Sequence, residues 1–164
     1  MRPYFCDDSV WDEFKKEAAS WEGTPYRHFQ GAKGFGADCT MFIGKVFVAV
    51  GILTNLTYEY YSRDWHVNTD KPIVENSIHE NFNLNVTNKK LSFKKILYSR
   101  DDYVRGDILL LHTVKSSLSN HASIFWDKED IMLHSINFAG VEFTHYGKWW
   151  RRHTRYKVRL FIED

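Results

Sequence analysis

Cysteine is scarce: Cys6 and Cys39 are the only two in 164 residues, which excludes a disulfide-stapled framework and leaves two free thiols as the expectation. Charge of one sign is missing as well. Basic and acidic side chains number 22 and 21, a formal net charge of +1, so the field of the whole molecule gives no reason to expect nucleic acid as a partner. No apolar run reaches the roughly 18 residues of a membrane span, and Met1 to Val10 holds no apolar core of signal-peptide length. These absences predict a soluble chain without a membrane span, cytoplasmic on synthesis. Neither a C-x-x-C nor an H-x-x-x-H pair preorganises zinc, and no G-x-S-x-G elbow or phosphate-binding glycine loop occurs, so no metal and no cofactor are expected. Repeats, linkers and low-complexity tracts are absent too, and residues 1–164 read as a single domain.

What is present is core. Hydrophobic residues make up 43% of the chain and aromatics 16%, enough for one well-packed domain of this length. A first helix is expected from Ser9 to Ser20, with Ser9 as cap and Val10, Trp11, Phe14, Ala18 and Trp21 as its buried stripe. Gly23, Thr24 and Pro25 break it, and Gly31, Gly34 and Gly36 keep the chain irregular up to Asp38. Cys39 to Val50 is apolar on nearly every side, the mark of a buried central helix, with Gly51 placed to end it in a left-handed turn. From Thr54 to Asp102 the pattern is open, although Pro72 could start a helix carrying Ile73, Val74, Ile78 and Phe82. After the turn at Arg105-Gly106-Asp107 come short strands rich in Val, Ile, Leu and Phe: Ile108–His112, His121–Trp126, Ile131–His134, Val141–His145 and Arg155–Ile162. Helices first and strands afterwards is the α+β pattern, with helices packed on one side of a consecutive antiparallel sheet.

The stretch from Lys148 to Lys157 interleaves Arg151, Arg152, Arg155 and Lys157 with Trp149, Trp150 and Tyr156. It could hold a polyanion, but a terminal amphipathic strand with a solvated charged face accounts for it more simply.

Cys39 stands where a polar glycine-rich loop becomes a buried helix, near unpaired backbone N–H groups and the positive end of the helix dipole. Both favour thiolate, so a pKa below about 8.5 is expected. The competing reading is a buried small hydrophobe. A thiol nucleophile needs a base, and the base needs an orienting partner. His121 opens one strand and His134 ends the next, so both can point to one end of the sheet. Among the eight histidines, His28, His66, His79, His112, His145 and His153 make no comparable case.

At Trp21–Arg27, Gly36–Thr40, Arg105–Leu109, His121–Phe125, Leu133–Ser135 and Gly140-Val141, in that order, the chain resembles the NlpC/P60 cell-wall peptidases. The resemblance implies a papain-like fold and hydrolysis of an amide in the stem peptide of peptidoglycan. It assigns Cys39 as nucleophile, His121 as base and His134 as the orienting residue; Asn137, by its place on the following loop, is an alternative to His134 that the residues themselves leave open. It also places Tyr26 and Asp38 on the substrate-binding side and gives the backbone N–H of Cys39 a share in an oxyanion hole. Thr40-Met41 stands where the family usually has Ser-Gly. The long 54–102 segment, with Tyr61, Asp64 and Trp65, looks more like the phage-tail-associated branch, so delivery by a tail or secretion machine is an expected partnership. Two other readings stay open. One is a noncatalytic cell-wall-binding or tail-assembly module, and the other a related amidase or acyltransferase, although the latter commonly place histidine before cysteine.

Overall fold

A computed structural model of the chain describes residues 1–100, 102–114, 117–127 and 129–164. Helix α1 spans Asp8–Ala19, one residue ahead of the expected start, because Asp7 and not Ser9 is its cap. The Asp7 carboxylate accepts from the Ser9 N–H at 3.0 Å and from the Ser9 hydroxyl at 2.7 Å, satisfying donors that the first turn leaves unpaired. Its buried stripe is Trp11, Phe14 and Ala18, with Trp21 just beyond. Helix α2 spans Cys39–Ala49 and stops at Gly51, whose φ of 72° is the left-handed conformation that glycine adopts without a Cβ penalty.

Between the helices, strands β2 (Gly31–Ala32) and β3 (Gly36–Ala37) make a small hairpin. Residues 73–84 are one helical run, Ile73–Glu75, a π turn over Asn76–Glu80, and Asn81–Leu84, as Pro72 foretold. Val74, Ile78 and Phe82, spaced four apart, are its buried face. Asn83 then ties the run to the next strand: its side chain accepts from the Phe93 N–H and donates to the Phe93 carbonyl, both at 2.8 Å.

Strand β1 (Arg2–Pro3), β4 (Leu91–Leu97), β5 (Ile108–Leu111), β6 (His121–Asp127), β7 (Ile131–Ile136), β8 (Gly140–His145) and β9 (Thr154–Ile162) form one sheet. Only β5 to β8 run consecutively. The expected fully consecutive order fails at β9, which returns between β5 and β4. The physical reason is burial on both faces: Val158 and Leu160 point to the core while Lys157 and Arg159 are buried on the other side. A strand buried twice over needs neighbours on both edges. Arg159 is satisfied there by Asp107, with Nε and Nη2 at 2.7 and 2.8 Å from its two oxygens.

The two helices cover one face of the sheet, where Phe14, Phe42 and Phe47 meet Ile108, Leu110, Ala122 and Ile124. Each such buried aromatic contributes roughly 1.5–3 kcal/mol. The other face carries a smaller cluster, Leu109, Leu111, Phe125, Met132 and Tyr146, roofed by Tyr103 and Trp150. Trp150 reaches it from a short helix, Lys148–His153, where a terminal strand was expected. Adjacent Trp149-Trp150 and Arg151-Arg152 break the alternation a strand requires, and a helical turn lets Trp150 face inward while Lys148 and Arg152 face water.

Candidate active site

Asp38 organises the entrance to α2. One carboxylate oxygen accepts from the Met41 N–H at 2.8 Å and the Thr40 hydroxyl at 3.2 Å; the other accepts from the Phe29 N–H at 2.9 Å and the Tyr61 hydroxyl at 2.6 Å. The residue is 2% exposed and all four bonds come from the chain itself. Its neighbour Ala37 is held from the sheet side, where the buried Ser135 hydroxyl donates to the Ala37 carbonyl at 2.6 Å. The nucleophile loop is thus clamped between two elements.

Cys39 is the first residue of α2 and a free thiol, as is Cys6. Its sulfur lies against the Ala122 N–H of β6, one residue from His121. The expected acidity is not met in the resting site. Burial, then the Asp38 carboxylate, push the thiol up to about 12, and N–H groups of Ala122, Thr40 and Cys39 pull the other way without prevailing.

His121 and His134 share a face of the sheet. Phe125 pairs with Met132 across β6 and β7, so 121 and 134, each an even step away, fall on the same side. Nε2 of His121 lies 2.9 Å from Nδ1 of His134. His134 sits inside β7, not at its end, and is fully buried. Burial pushes its imidazole down to about 4, and burial together with His134 drives His121 well below the ordinary 6.5. Both rings are therefore neutral at pH 7. The indole of Trp150 roofs the pair, its ring 5.2 Å from that of His134 and 6.2 Å from that of His121.

Beyond His134 the contacts continue. Its Nε2 lies 3.0 Å from the Thr144 hydroxyl, which donates to Glu142 at 3.3 Å.

Cys39 and His121 line one cleft of about 340 Å³ together with Tyr26, Asn137, Trp65 and Trp150. Burial first, and then Cys39 and Asp38, push the Tyr26 phenol up to about 12, so it stays protonated and can donate. Asn137 reaches the cleft but, among the described residues, makes no hydrogen bond to His121; His134 does. Among the described residues no group of three or more His, Cys, Asp and Glu side chains comes together as a metal site. No helix among them is long and apolar enough to cross a membrane.

The sequence profile of the NlpC/P60 family matches residues 23–159, which include Cys39, His121 and His134. The chain belongs to this family. Solved NlpC/P60 structures share the fold. A lipoprotein-like family member from Staphylococcus aureus subsp. aureus Mu50 superposes with a TM-score of 0.60 at 17% identity, covering 100% of this chain and 45% of that one. A family protein from Bacillus cereus ATCC 10987 gives 0.55 at 15%, covering 90% and 39%. The NlpC/p60 domain of the peptidoglycan hydrolase SagA gives 0.55 at 17%, covering 90% and 97%. The chain thus spans less than half the length of the first two and nearly all of the SagA domain. No curated protein matches.

Several residues in and behind the cleft escaped sequence reasoning. His28 and His66, set aside there, line it, and His28 Nε2 is 2.7 Å from the Tyr61 carbonyl. Trp150 was assigned to a strand. Thr144 and Glu142 alternate along β8, which marks them as sharing a face, but only the register shows that Glu142 pairs directly with His134.

Proposed function

We propose that the chain is a cysteine hydrolase that cleaves an amide bond in peptidoglycan stem peptides, with Cys39 as nucleophile, His121 as base and His134 as its positioning partner. The observation that carries this reading is the 2.9 Å contact of the buried His134 with His121, which lines one cleft with Cys39. Starting from a neutral thiol and a neutral imidazole, the Cys39 proton passes to His121 as sulfur attacks the amide carbon. The imidazolium then returns a proton to the leaving amine, and water releases the acyl group by the same base. The N–H of Cys39, at the start of α2, contributes to holding the carbonyl oxygen as it becomes negative. Tyr26, kept as a phenol, donates to the substrate beside the sulfur. Asp38 serves by shaping the loop, since its own oxygens are taken.

The 54–102 segment walls the cleft with Trp65, Arg63 and Asp64, the feature that fits the tail-associated branch. Delivery by a tail or a secretion machine belongs to that reading. Incubation with peptidoglycan fragments and identification of products by mass tests the proposal: a single cleaved amide, absent with Cys39→Ala, is expected. Binding of the fragments by wild type without any turnover would return the chain to the noncatalytic class.

A further inference from the structure

We propose that Thr144 and Glu142 are positioning residues that fix the direction of every hydrogen bond behind His121 and thereby leave its Nδ1 atom without a proton. The inference rests on the reading of His121 as base and extends it to two residues with no assigned role.

The chain of contacts has one consistent set of hydrogens. A carboxylate carries none, so the 3.3 Å contact between Thr144 and Glu142 uses the only hydroxyl hydrogen of Thr144. The Thr144 oxygen is left as an acceptor, and the His134 Nε2 atom 3.0 Å away must be the donor. A neutral imidazole has a single N–H, so Nδ1 of His134 is bare. The 2.9 Å contact to His121 then requires the hydrogen on Nε2 of His121. Its remaining nitrogen, Nδ1, holds a free lone pair. That lone pair can take the proton of the Cys39 thiol: the S–H bond breaks, an N–H bond forms on Nδ1, and the new imidazolium keeps its Nε2–H on His134.

Remove the carboxylate and the order can reverse. Thr144 would then be free to donate to Nε2 of His134, His134 would donate from Nδ1 to Nε2 of His121, and the hydrogen of His121 would move to Nδ1. A base in that tautomer cannot accept from the thiol. The fold makes the arrangement possible because Glu142 lies directly opposite His134 and Thr144 follows two residues later on the same face of β8. Glu142 is also 3.9 Å from the His134 ring nitrogen, so it faces His134 as well as Thr144.

Nitrogen-15 NMR of the full chain reads the tautomers directly, with no need for turnover. Wild type should show both His121 and His134 protonated at Nε2. Glu142→Ala should populate the Nδ1–H form of His121, and Thr144→Val, which keeps the shape and loses the hydroxyl, should do the same. On stem-peptide substrate both should lose about tenfold or more in kcat with KM little changed, while Thr144→Ser, which retains the hydroxyl, should recover most of the rate. An Nδ1–H on His121 of the wild type, or wild-type tautomers in Glu142→Ala and Thr144→Val, overturns the inference. If no substrate is turned over but the tautomers respond as stated, the relay stands and the hydrolase reading fails.

Discussion

Replacing Asp38 with Asn tests whether the cap of α2 and the cysteine loop act as one unit. An asparagine side chain has one acceptor oxygen where aspartate has two. The hydroxyls of Thr40 and Tyr61 can turn to accept from the new amide, but the N–H groups of Met41 and Phe29 cannot. Whichever way the amide is turned, one of those backbone donors faces an NH₂ group at about the hydrogen-bond distances of 2.8 and 2.9 Å seen now. A buried donor left unsatisfied costs about 1–3 kcal/mol, and losing the charge on the remaining bonds adds roughly 1 kcal/mol. Phe29 is a sensitive partner because its φ of 53° is left-handed, a conformation that other contacts must hold in place.

The expected destabilisation is therefore about 2–4 kcal/mol, which at roughly 2–4 °C per kcal/mol for a chain of this size lowers Tm by roughly 5–15 °C. Thermal unfolding followed by near-UV circular dichroism measures it. A cycle with Tyr61→Phe should show coupling of roughly 1 kcal/mol, since the 2.6 Å Tyr61–Asp38 bond is the shortest of the four. A Tm within about 2 °C of wild type, or strictly additive effects, would refute the view of Asp38 as the hub of the loop.

Alkylation of Cys39 by iodoacetamide in the absence of substrate should keep rising with pH beyond the ordinary thiol midpoint of about 8.5, because burial and Asp38 hold the thiol up to about 12. Asp38→Asn should move that midpoint down, and a wild-type midpoint at or below about 8.5 contradicts the assignment. Gly140→Ala should unfold at lower temperature than wild type by calorimetry: at φ 78° a Cβ would stand 2.3 Å from the Thr24 carbonyl oxygen, against the backbone pair that joins Thr24 to Val141. An unchanged Tm would mean the Thr24 loop yields freely.

The legible part of the fold was the part governed by local rules. A buried stripe placed α1, an apolar run on nearly every side placed α2, and runs of Val, Ile and Leu placed β5 to β8, because burial leaves a local mark in the sequence. Gly51 was readable as a helix end for the same local reason. What stayed hidden depends on pairing between distant residues. That β9 lies between β4 and β5 follows from Lys157 and Arg159 being buried beside Asp102 and Asp107, whereas in sequence Lys157 reads as part of a solvated face. The site divides along the same line. A cysteine after a glycine-rich loop can be seen in one dimension, as can a histidine at a strand start. The raised thiol could not, because it comes from burial and from how the Asp38 carboxylate is turned. Nor could the Trp150 roof, whose side chain is aimed by a helical turn that the charge pattern concealed.

Burial of the histidine pair also fixes how the fold responds to acid. His134 is held at about 4 when folded and titrates near 6.5 when the chain is unfolded. The folded chain refuses a proton that the unfolded chain accepts, so stability is full above 6.5 and falls as the pH drops from about 6.5 to about 4. Below that the folded state takes up the proton too, and the loss levels off. The gap corresponds to roughly 3 kcal/mol, and His121, lowered by burial and by His134, acts in the same direction. Glu142, 3.9 Å from the ring of His134, favours the charged form but is half-exposed and does not offset the burial. His134→Gln has no proton to gain in this window while keeping hydrogen-bonding atoms at the same place. Urea unfolding followed across the window should therefore show the wild type losing up to roughly 3 kcal/mol more than His134→Gln, with the carboxylates common to both cancelling in the difference. Parallel stability curves for the two proteins would show that folding leaves His134 titrating near 6.5, and that burial does not hold its imidazole neutral through this window.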